Sequence, residues 1–271
     1  MRFVTPIACI LALGSCDAMA GAWTQAAGNG LFIITASTYN AGGYFDNAGR
    51  KQSQPDYGKY ELNPYLEYGL SDSLTLGANL LFDRAHQDGA AGGPSHTNWN
   101  LGDSEFFLRT RLWQQNGFVV SAEPMIKLPS PEPSDAQPPL GGSSPDAGLG
   151  LSAGYGFSAW GLSHFANLDT QYRHRFGAPH DQARLNGTLG IGVAPRWMVM
   201  PQAFMTWRTV ASHVADFTNS PANDYDLVRL QLSAVYRWQN DLSFQFGGFD
   251  DVAGKNTGTG SGVLFALWRS F

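Results

Sequence analysis

Residues 73–84 read SLTLGANLLFDR, and this stretch decides the fold because apolar and polar positions alternate along it. Successive side chains of a β-strand point to opposite faces, so a period of two gives one apolar face and one polar face. The apolar positions are Leu74, Leu76, Ala78, Leu80 and Phe82, and the polar or glycine positions are Thr75, Gly77, Asn79 and Asp83. The pattern predicts a half-buried β-strand.

The same alternation recurs along the chain after residue 20 and predicts about twelve strands. The predicted strands are 29–40, 57–69, 73–84, 101–113, 117–128, 147–157, 161–175, 184–194, 197–208, 226–238, 242–249 and 260–271. Short turns alternate with long loops, which are predicted at 41–56, 85–100, 129–146, 176–183, 209–225 and 250–259. This layout predicts that residues 21–271 form an all-β, transmembrane up-and-down antiparallel β-barrel of about twelve strands, with both termini on the short-turn side.

Further features favour a lipid environment over a soluble β-sandwich, which is the alternative fold. Aromatic side chains such as Tyr60 and Tyr68 bracket apolar strand faces, as they do at lipid–water interfaces. The chain ends in Phe271 on an alternating last strand, which resembles the assembly signal of outer-membrane barrels. We therefore expect a location in the bacterial outer membrane. The expected partners are outer-membrane lipid, lipopolysaccharide and the barrel-assembly machinery.

Residues 1–20, MRFVTPIACILALGSCDAMA, predict a cleaved export signal because a basic start precedes a short apolar run and a small-residue cleavage site. A lipoprotein signal acylated at Cys16 is the alternative. Both cysteines, Cys9 and Cys16, fall in this segment, so the mature chain has no thiol or disulfide. We expect no metal site and no cofactor.

Composition excludes other classes of protein. The formal net charge is −5, and charged residues make up 14% of the chain while aromatic residues make up 13%. A nucleic-acid binder would carry a basic stripe, and a disordered chain would have few aromatic residues. Neither description fits this sequence.

The predicted inward face carries charges that are unevenly distributed along the chain. Acidic residues cluster early, whereas the later inward charges are all arginine, so one wall is predicted to be mixed to acidic and the other basic. The candidate lumen residues are Glu61, Glu67, Asp103, Glu105, Arg109 and Arg111 on one wall, and Arg173, Arg184, Arg208, Arg229 and Arg237 on the other. Such walls would create a field across an open pore. Alternatively, the charges pair and plug a narrow lumen.

The glycines and one long loop are compatible with both an open and a filled lumen. The inward glycines Gly148, Gly150, Gly154 and Gly156 indicate either free space or room for an inserted segment. The proline-rich loop 129–146 either folds over the mouth or stands outside it. An acidic external mouth is predicted from Asp46, Asp56, Asp88, Glu132, Asp135, Asp146, Asp181, Asp216, Asp224, Asp226, Asp250 and Asp251.

No catalytic motif is present in the sequence. None of the six histidines is followed two residues later by serine, the spacing that would place both on one strand face. We therefore expect no enzyme, although a hydroxyl and a histidine could still meet across strands.

Three segments carry a family resemblance. EYGLSDSLTLG at 67–77, PMIKLPSP at 124–131 and the opening GAWTQAAGNG at 21–30 resemble the outer-membrane family of meta-pathway phenol-degradation proteins. The resemblance implies a membrane barrel that passes small compounds, including aromatic ones, and it transfers no functional residue. The predicted function is a passive outer-membrane channel for small molecules. A plugged structural or adhesion barrel and a lipid hydrolase are the alternatives.

Overall fold

The structure is a computed structural model that describes residues 21–89, 93–142, 144–177, 179–209 and 224–271. The predicted signal peptide and Cys16 lie outside these ranges. Within them the chain forms fourteen strand segments, and no helix there is long and apolar enough to cross a membrane. The segments are β1 Gly30–Phe45, β2 Lys51–Ser71, β3 Leu74–Asn79, β4 Phe82–Gln87, β5 His96–Leu101, β6 Ser104–Gln115, β7 Phe118–Leu128, β8 Asp146–Ala159, β9 Leu162–Arg175, β10 Gln182–Ala194, β11 Trp197–Arg208, β12 Asp226–Gln239, β13 Leu242–Lys255 and β14 Thr257–Ser270.

These segments make twelve barrel strands, because two strands are each interrupted once. The segments β3 and β4 both pair with β2, and β5 and β6 together form the next strand. Every neighbouring pair is antiparallel, and β1 pairs with both β2 and β14, which closes the sheet. A closed sheet satisfies the backbone hydrogen bonds of its wall internally, as a bilayer requires. The predicted fold class and strand number are confirmed.

The short turns fall where the sequence predicts them. Asn116 and Gly117 have φ values of 50° and 84°, and Trp160 and Gly161 have φ values of 53° and 73°. Two successive positive φ values give a tight hairpin whose twist matches that of its strands. These turns mark the periplasmic end of the barrel by analogy with the general layout of such proteins.

Two of the predicted long loops are wrong. Strand pairing continues through most of 41–56 and 250–259, which leaves only 46–50 and Asn256 between the strands. These stretches lack an apolar face, because barrel strands that extend beyond the lipid do not need one. Alternation of hydrophobicity therefore stops before the strand does.

This extension moves acidic residues from predicted loops into the wall. The acids concerned are Asp56, Asp146, Asp250 and Asp251, whereas Asp226 begins β12 as the predicted strand 226–238 already has it. Asp146 and Asp251 are buried inside the barrel. The predicted loop position is therefore wrong for Asp56, Asp146, Asp250 and Asp251, and Asp216 lies outside the part of the chain that the structure describes.

The exterior of the barrel is apolar, as the alternation predicts. In β12, Leu230 and Leu232 are exposed on the outer face of the barrel. The next residue, Ser233, has its side chain on the inner face and is buried. Exposed apolar and aromatic side chains cover the other strands in the same way, among them Leu76, Phe106, Ile126, Leu149, Leu151, Leu168, Leu189, Ile191, Phe246, Val263 and Phe265. Such a surface is stable against acyl chains and unstable in water.

Both interrupted strands break at the same height. The peptide N–H of Gly102, between β5 and β6, donates to the carbonyl of Leu81, between β3 and β4, at 2.7 Å. Beyond the break β5 pairs only with β4. The loop that follows β7 covers the other edge of β5, where the Ser130 hydroxyl donates to the Leu101 carbonyl at 2.7 Å. The break thus admits this loop to the barrel mouth.

Candidate functional site

The lumen is the candidate site, and a buried charge network occupies its periplasmic half. Arg109 on β6 lies 2.6 Å from Glu67 on β2 and 2.8 Å from Glu123 on β7. The hydroxyl of Tyr65 donates to Glu67 as well. The Glu67 side chain is completely buried, so Arg109 neutralises a charge that water does not reach.

A second network of ion pairs lies in the same lumen, closer to the external end. Arg173 on β9 reaches 2.5 Å from Glu105 on β6, across the two intervening strands. Lys127 on β7 lies 3.0 Å from Asp103 and 3.2 Å from Asp146. The pair of Glu105 and Arg173 joins the two predicted walls inside the lumen.

The prediction that the later wall carries only arginine is wrong. Asp251 on β13 lies 2.7 Å from Arg229 on β12, and Asp226 lies 3.4 Å from Arg208. The sequence analysis counts both acids with the external mouth, because apolar alternation fades at these ends of the strands. Pairing with these acids weakens the predicted field across the pore.

The remaining predicted lumen residues also lie on inward rows. Glu61 accepts a hydrogen bond from Lys59 at 2.6 Å, and Arg184 donates to a glutamine two residues earlier on β10 at 3.3 Å. Arg111 is half-buried and Arg237 lines the periplasmic end. Neither of these two has a charged partner among the described residues. All eleven predicted residues are therefore brought to the inner side of the barrel or its rim, most of them in pairs.

Residues 21–29 precede the first strand and cross the lumen instead of extending the wall. The Ala22 amide donates to Asn167 on β9 at 2.9 Å, and the Trp23 carbonyl accepts from Arg109 at 3.1 Å. The Gln25 side chain donates to Glu67 on β2 at 2.6 Å. The segment is therefore tied to both sides of the bore and narrows it.

Gly154 lies on the glycine-rich inward row of β8, where Trp23 approaches the wall. A Cβ at this position would lie 2.5 Å from the Trp23 ring. At Gly156, by contrast, nothing lies within 4 Å of that position. Of the two explanations that the sequence leaves open, room for an inserted segment is confirmed at Gly154.

One side of the lumen is apolar, which the sequence analysis missed. Inward side chains of β1, β9, β11, β12 and β14 form a buried cluster with the ring of Trp23 packed against it. Its members are Leu31, Ile33, Phe165, Met200, Val235, Ala266 and Trp268. A signal for it exists in β11, where Trp197, Met198, Val199 and Met200 are apolar on both faces.

Cavities remain at both ends of the bore. A cavity of about 430 Å³ in the external half is lined by Tyr39, Tyr57, Phe249, Lys59 and Arg229, among others. A cavity of about 220 Å³ lies near the periplasmic turns, beside the apolar cluster. The N-terminal segment and the charge networks lie between these ends.

The proline-rich loop folds over the mouth, which settles the alternative that the sequence leaves open. Pro138 and Pro139 line the external cavity. The Glu132 carboxylate accepts from the Asn98 side chain at 2.6 Å and from the Leu140 amide at 3.0 Å. Asp103 accepts from the Gly142 amide at 3.1 Å, so this predicted lumen acid anchors the loop.

Two carboxylates in the external connections stabilise their hairpins. The backbone amide of Arg50 is the main cause that lowers the pKa of Asp46 to about 2, with the side chains of Gln52 and Arg50 adding to it. The Tyr172 hydroxyl, with the Arg175 amide, lowers the pKa of Asp181 to about 2. Both groups stay ionised under ordinary conditions and organise the rim.

One histidine does meet a hydroxyl across strands. His86 on β4 contacts the Thr97 hydroxyl on β5 at 2.7 Å, and its other ring nitrogen lies 3.2 Å from Asp88. The three residues lie on the outer face near the external end. A hydroxyl, an imidazole and a carboxylate in this order are the elements of an activated nucleophile.

Comparison with known proteins supports the fold. No protein-family model matches the chain, and no curated protein matches it in sequence. An outer-membrane channel from Pseudomonas putida F1 is similar in structure, with a TM-score of 0.67, 15% identity and coverage of 92% of this chain and 98% of that chain. The NanC porin and the KdgM porin are each similar with a TM-score of 0.52 at 7% identity. Each match covers 88% of this chain, together with 98% of the NanC chain and 99% of the KdgM chain.

The chain therefore has the fold of the bacterial outer-membrane β-barrels. This fold and the apolar exterior place the barrel in the outer membrane, as the sequence predicts. The more specific resemblance to meta-pathway phenol-degradation proteins stays a prediction, because no family model matches the chain.

Proposed function

We propose that this protein is a narrow, passive channel for small molecules in the outer membrane. The observation that carries the proposal is the pair of lumen cavities, about 430 Å³ below the external mouth and about 220 Å³ at the periplasmic end. Side chains fill the interior of barrels of about eight strands, whereas this twelve-strand barrel keeps open space at both ends of its bore. The solved barrels that the chain resembles include a channel and porins, which is consistent with the proposal.

The external cavity favours small organic solutes over large hydrophilic ones. Its volume lies within the range of about 300–1,000 Å³ that is typical of small-molecule sites. The rings of Tyr39, Tyr57 and Phe249 supply apolar surface, while Lys59 and Gln231 supply hydrogen-bond donors. These groups suit a molecule with an apolar or aromatic body and a polar substituent.

Planar-bilayer recording of the refolded mature protein tests the channel. We expect discrete conductance steps, and liposome swelling with small neutral solutes such as phenol, benzyl alcohol and glycerol should then rank them by permeation. A barrel that stays silent in both assays would refute the channel proposal. Empty liposomes and liposomes with a filled eight-strand barrel are the controls.

A plugged structural barrel is the second candidate. The ion pairs around Arg109 and Arg173, together with the N-terminal segment, favour it because they occupy the bore. This candidate predicts the silent outcome of the same recording, combined with normal folding on an unboiled gel.

A lipid hydrolase is the third candidate, favoured only by the contact between His86 and Thr97 beside Asp88. Incubation with phospholipid and lipid A tests it by measuring released fatty acid. Release that disappears in both H86A and T97A would support hydrolysis. Equal background in all three proteins would reject it.

A further inference from the structure

The outer face of the β4–β5 hairpin carries an arginine in a row of lipid-facing side chains. Arg84 is exposed and lies opposite Trp99 on β5 and Tyr60 on β2. Trp99 and Tyr60 are 79% and 61% exposed, so these rings have no protein cover. No described side chain lies within hydrogen-bonding or ion-pairing distance of the Arg84 guanidinium.

The register places this row at the outer lipid–water interface. One step toward the membrane centre, Phe82 pairs with Leu101 and with Leu62, all apolar. One step outward, His86 pairs with Thr97, both polar. Aromatic side chains such as Trp99 and Tyr60 concentrate at this boundary in membrane proteins.

An arginine that faces lipid is costly unless something neutralises it, and the cost falls toward the interface. Arg269 is the other arginine that faces outward from a described strand, and it lies near the periplasmic end. There the protein supplies a partner, since Asp241 lies 2.9 Å from the Arg269 guanidinium. Arg84 has no such acid among the described residues, so a counter-ion supplied from outside the protein would offset this cost.

An apolar groove adjoins Arg84 on the same face. It has a volume of about 950 Å³ and runs over the small side chains of Ala36 and Thr38 on β1. Leu62 and Phe82 border it on one side, and Phe265 borders it on the other. Its apolar lining suits acyl chains whose headgroup lies at the level of the arginine.

We propose that this surface is a docking site for the phosphorylated acyl glycolipid of the outer leaflet, lipopolysaccharide, with a lipid A phosphate on Arg84 and its acyl chains in the groove. Guanidinium and phosphate form paired, charge-assisted hydrogen bonds. Charge complementarity and the matching height of the cation and the aromatic rings favour this lipid. The proposal is independent of the channel function, because the site lies outside the bore.

Native mass spectrometry of the full mature chain in non-ionic detergent tests the site. The protein is titrated with bisphosphorylated lipid A, with dephosphorylated lipid A and with phosphatidylglycerol. We expect R84Q to weaken binding of bisphosphorylated lipid A by about tenfold, the effect of losing one charge-assisted contact. R84K should recover part of the affinity, and R269Q should bind like the wild type.

Three results would overturn the proposal. The first is equal binding by R84Q and the wild type, with folding verified by migration on an unboiled gel. The second is equal affinity of the wild type for phosphorylated and dephosphorylated lipid A, which needs no variant. The third is equal affinity for phosphatidylglycerol and lipid A, which would mean that the site takes any anionic lipid.

Discussion

Arg109 is the residue on which the buried charge of the lumen depends. It contacts two carboxylates, and Glu67 is closed off from water by the Tyr65 hydroxyl and the Gln25 side chain. Desolvating three charged groups is costly, and only their mutual contacts offset that cost. The Arg109 side chain therefore stabilises the buried charges that occupy this part of the lumen.

We expect R109L to reduce the free energy of unfolding by about 3–5 kcal/mol, because it leaves buried carboxylates without a counter-ion. Urea unfolding in lipid vesicles, followed by tryptophan fluorescence, measures this change. R111L is the matched control, since Arg111 has no side-chain partner among the described residues, and it should change stability by less than about 1 kcal/mol. Similar losses in the two variants would contradict the assigned role of Arg109.

Arg229 faces the external cavity and pairs with Asp251, and its guanidinium lies 4.3 Å from the centre of the Phe249 ring. We expect R229Q to shift ion selectivity toward cations, because Asp251 then presents an unpaired negative charge to the cavity. Reversal potentials in a salt gradient measure the shift. The double variant R229Q/D251N should return close to the wild type, and R84Q outside the bore should not change selectivity. An unchanged reversal potential in R229Q would mean that ions do not pass this cavity.

Two elements that are not part of the wall determine how open the barrel is. Residues 21–29 enter from the periplasmic end, and the loop between β7 and β8 folds in from the external end. Each is held mainly by hydrogen bonds that involve side chains, with backbone bonds to Gly69 only at Gly28 and Asn29, instead of a long ladder of backbone pairs. Such contacts are weaker together than strand pairing, so these elements are the places where the bore can change.

The fit of the N-terminal segment depends on Gly154. We expect G154V to destabilise the barrel by about 1–3 kcal/mol or to expel Trp23, because the added carbons collide with its ring. Unfolding in urea and single-channel conductance report these two responses. G156V is the control, since open space surrounds that position and the outer face is unchanged. Equal behaviour of the two variants would show that Trp23 does not pack as described.

The external loop depends on Glu132. We expect E132A to speed cleavage between residues 129 and 142 by an added external protease, because the Asn98 and Leu140 donors lose their acceptor. Timed digestion of whole cells or proteoliposomes measures the rate. D135A changes a residue of the same loop whose side chain makes no hydrogen bond or ion pair with a described residue, and it should be cut at the wild-type rate. Cleavage of E132A at that same rate would mean that other contacts hold the loop.

At the scale of the whole molecule, a closed wall of strands surrounds two segments that are not part of it, residues 21–29 and the loop between β7 and β8. Antiparallel ladders join the twelve strands, with a break where β5 has no pairing with β7, and the wall closes between β1 and β14. The first strand follows directly from the segment that crosses the lumen. Removing that segment should therefore open the bore without opening the wall.

Deletion of residues 22–27 should raise single-channel conductance several-fold while leaving heat-modifiable gel migration intact, because no wall strand is shortened. Planar-bilayer recording measures the change. A deletion variant that folds and conducts no better than the wild type would show that the narrowest point lies elsewhere, with the ion pairs of Glu105 and Arg173 as the next constriction to test.

The sequence by itself determined the wall of this protein. Alternation with a period of two and short glycine turns are local properties, so residues 73–84 and their counterparts specify strands, faces and hairpins without knowledge of distant partners. The strand ends beyond the lipid were missed, since no apolar face marks them, and so were the breaks between β3 and β4 and between β5 and β6. The tertiary structure alone decided what fills the bore. Which inward groups meet depends on closure of the sheet. Glu105 and Arg173, for example, are 68 positions apart in the sequence and form an ion pair only because the barrel brings their strands together. Likewise, only the closed barrel offers residues 21–29 a lumen to enter.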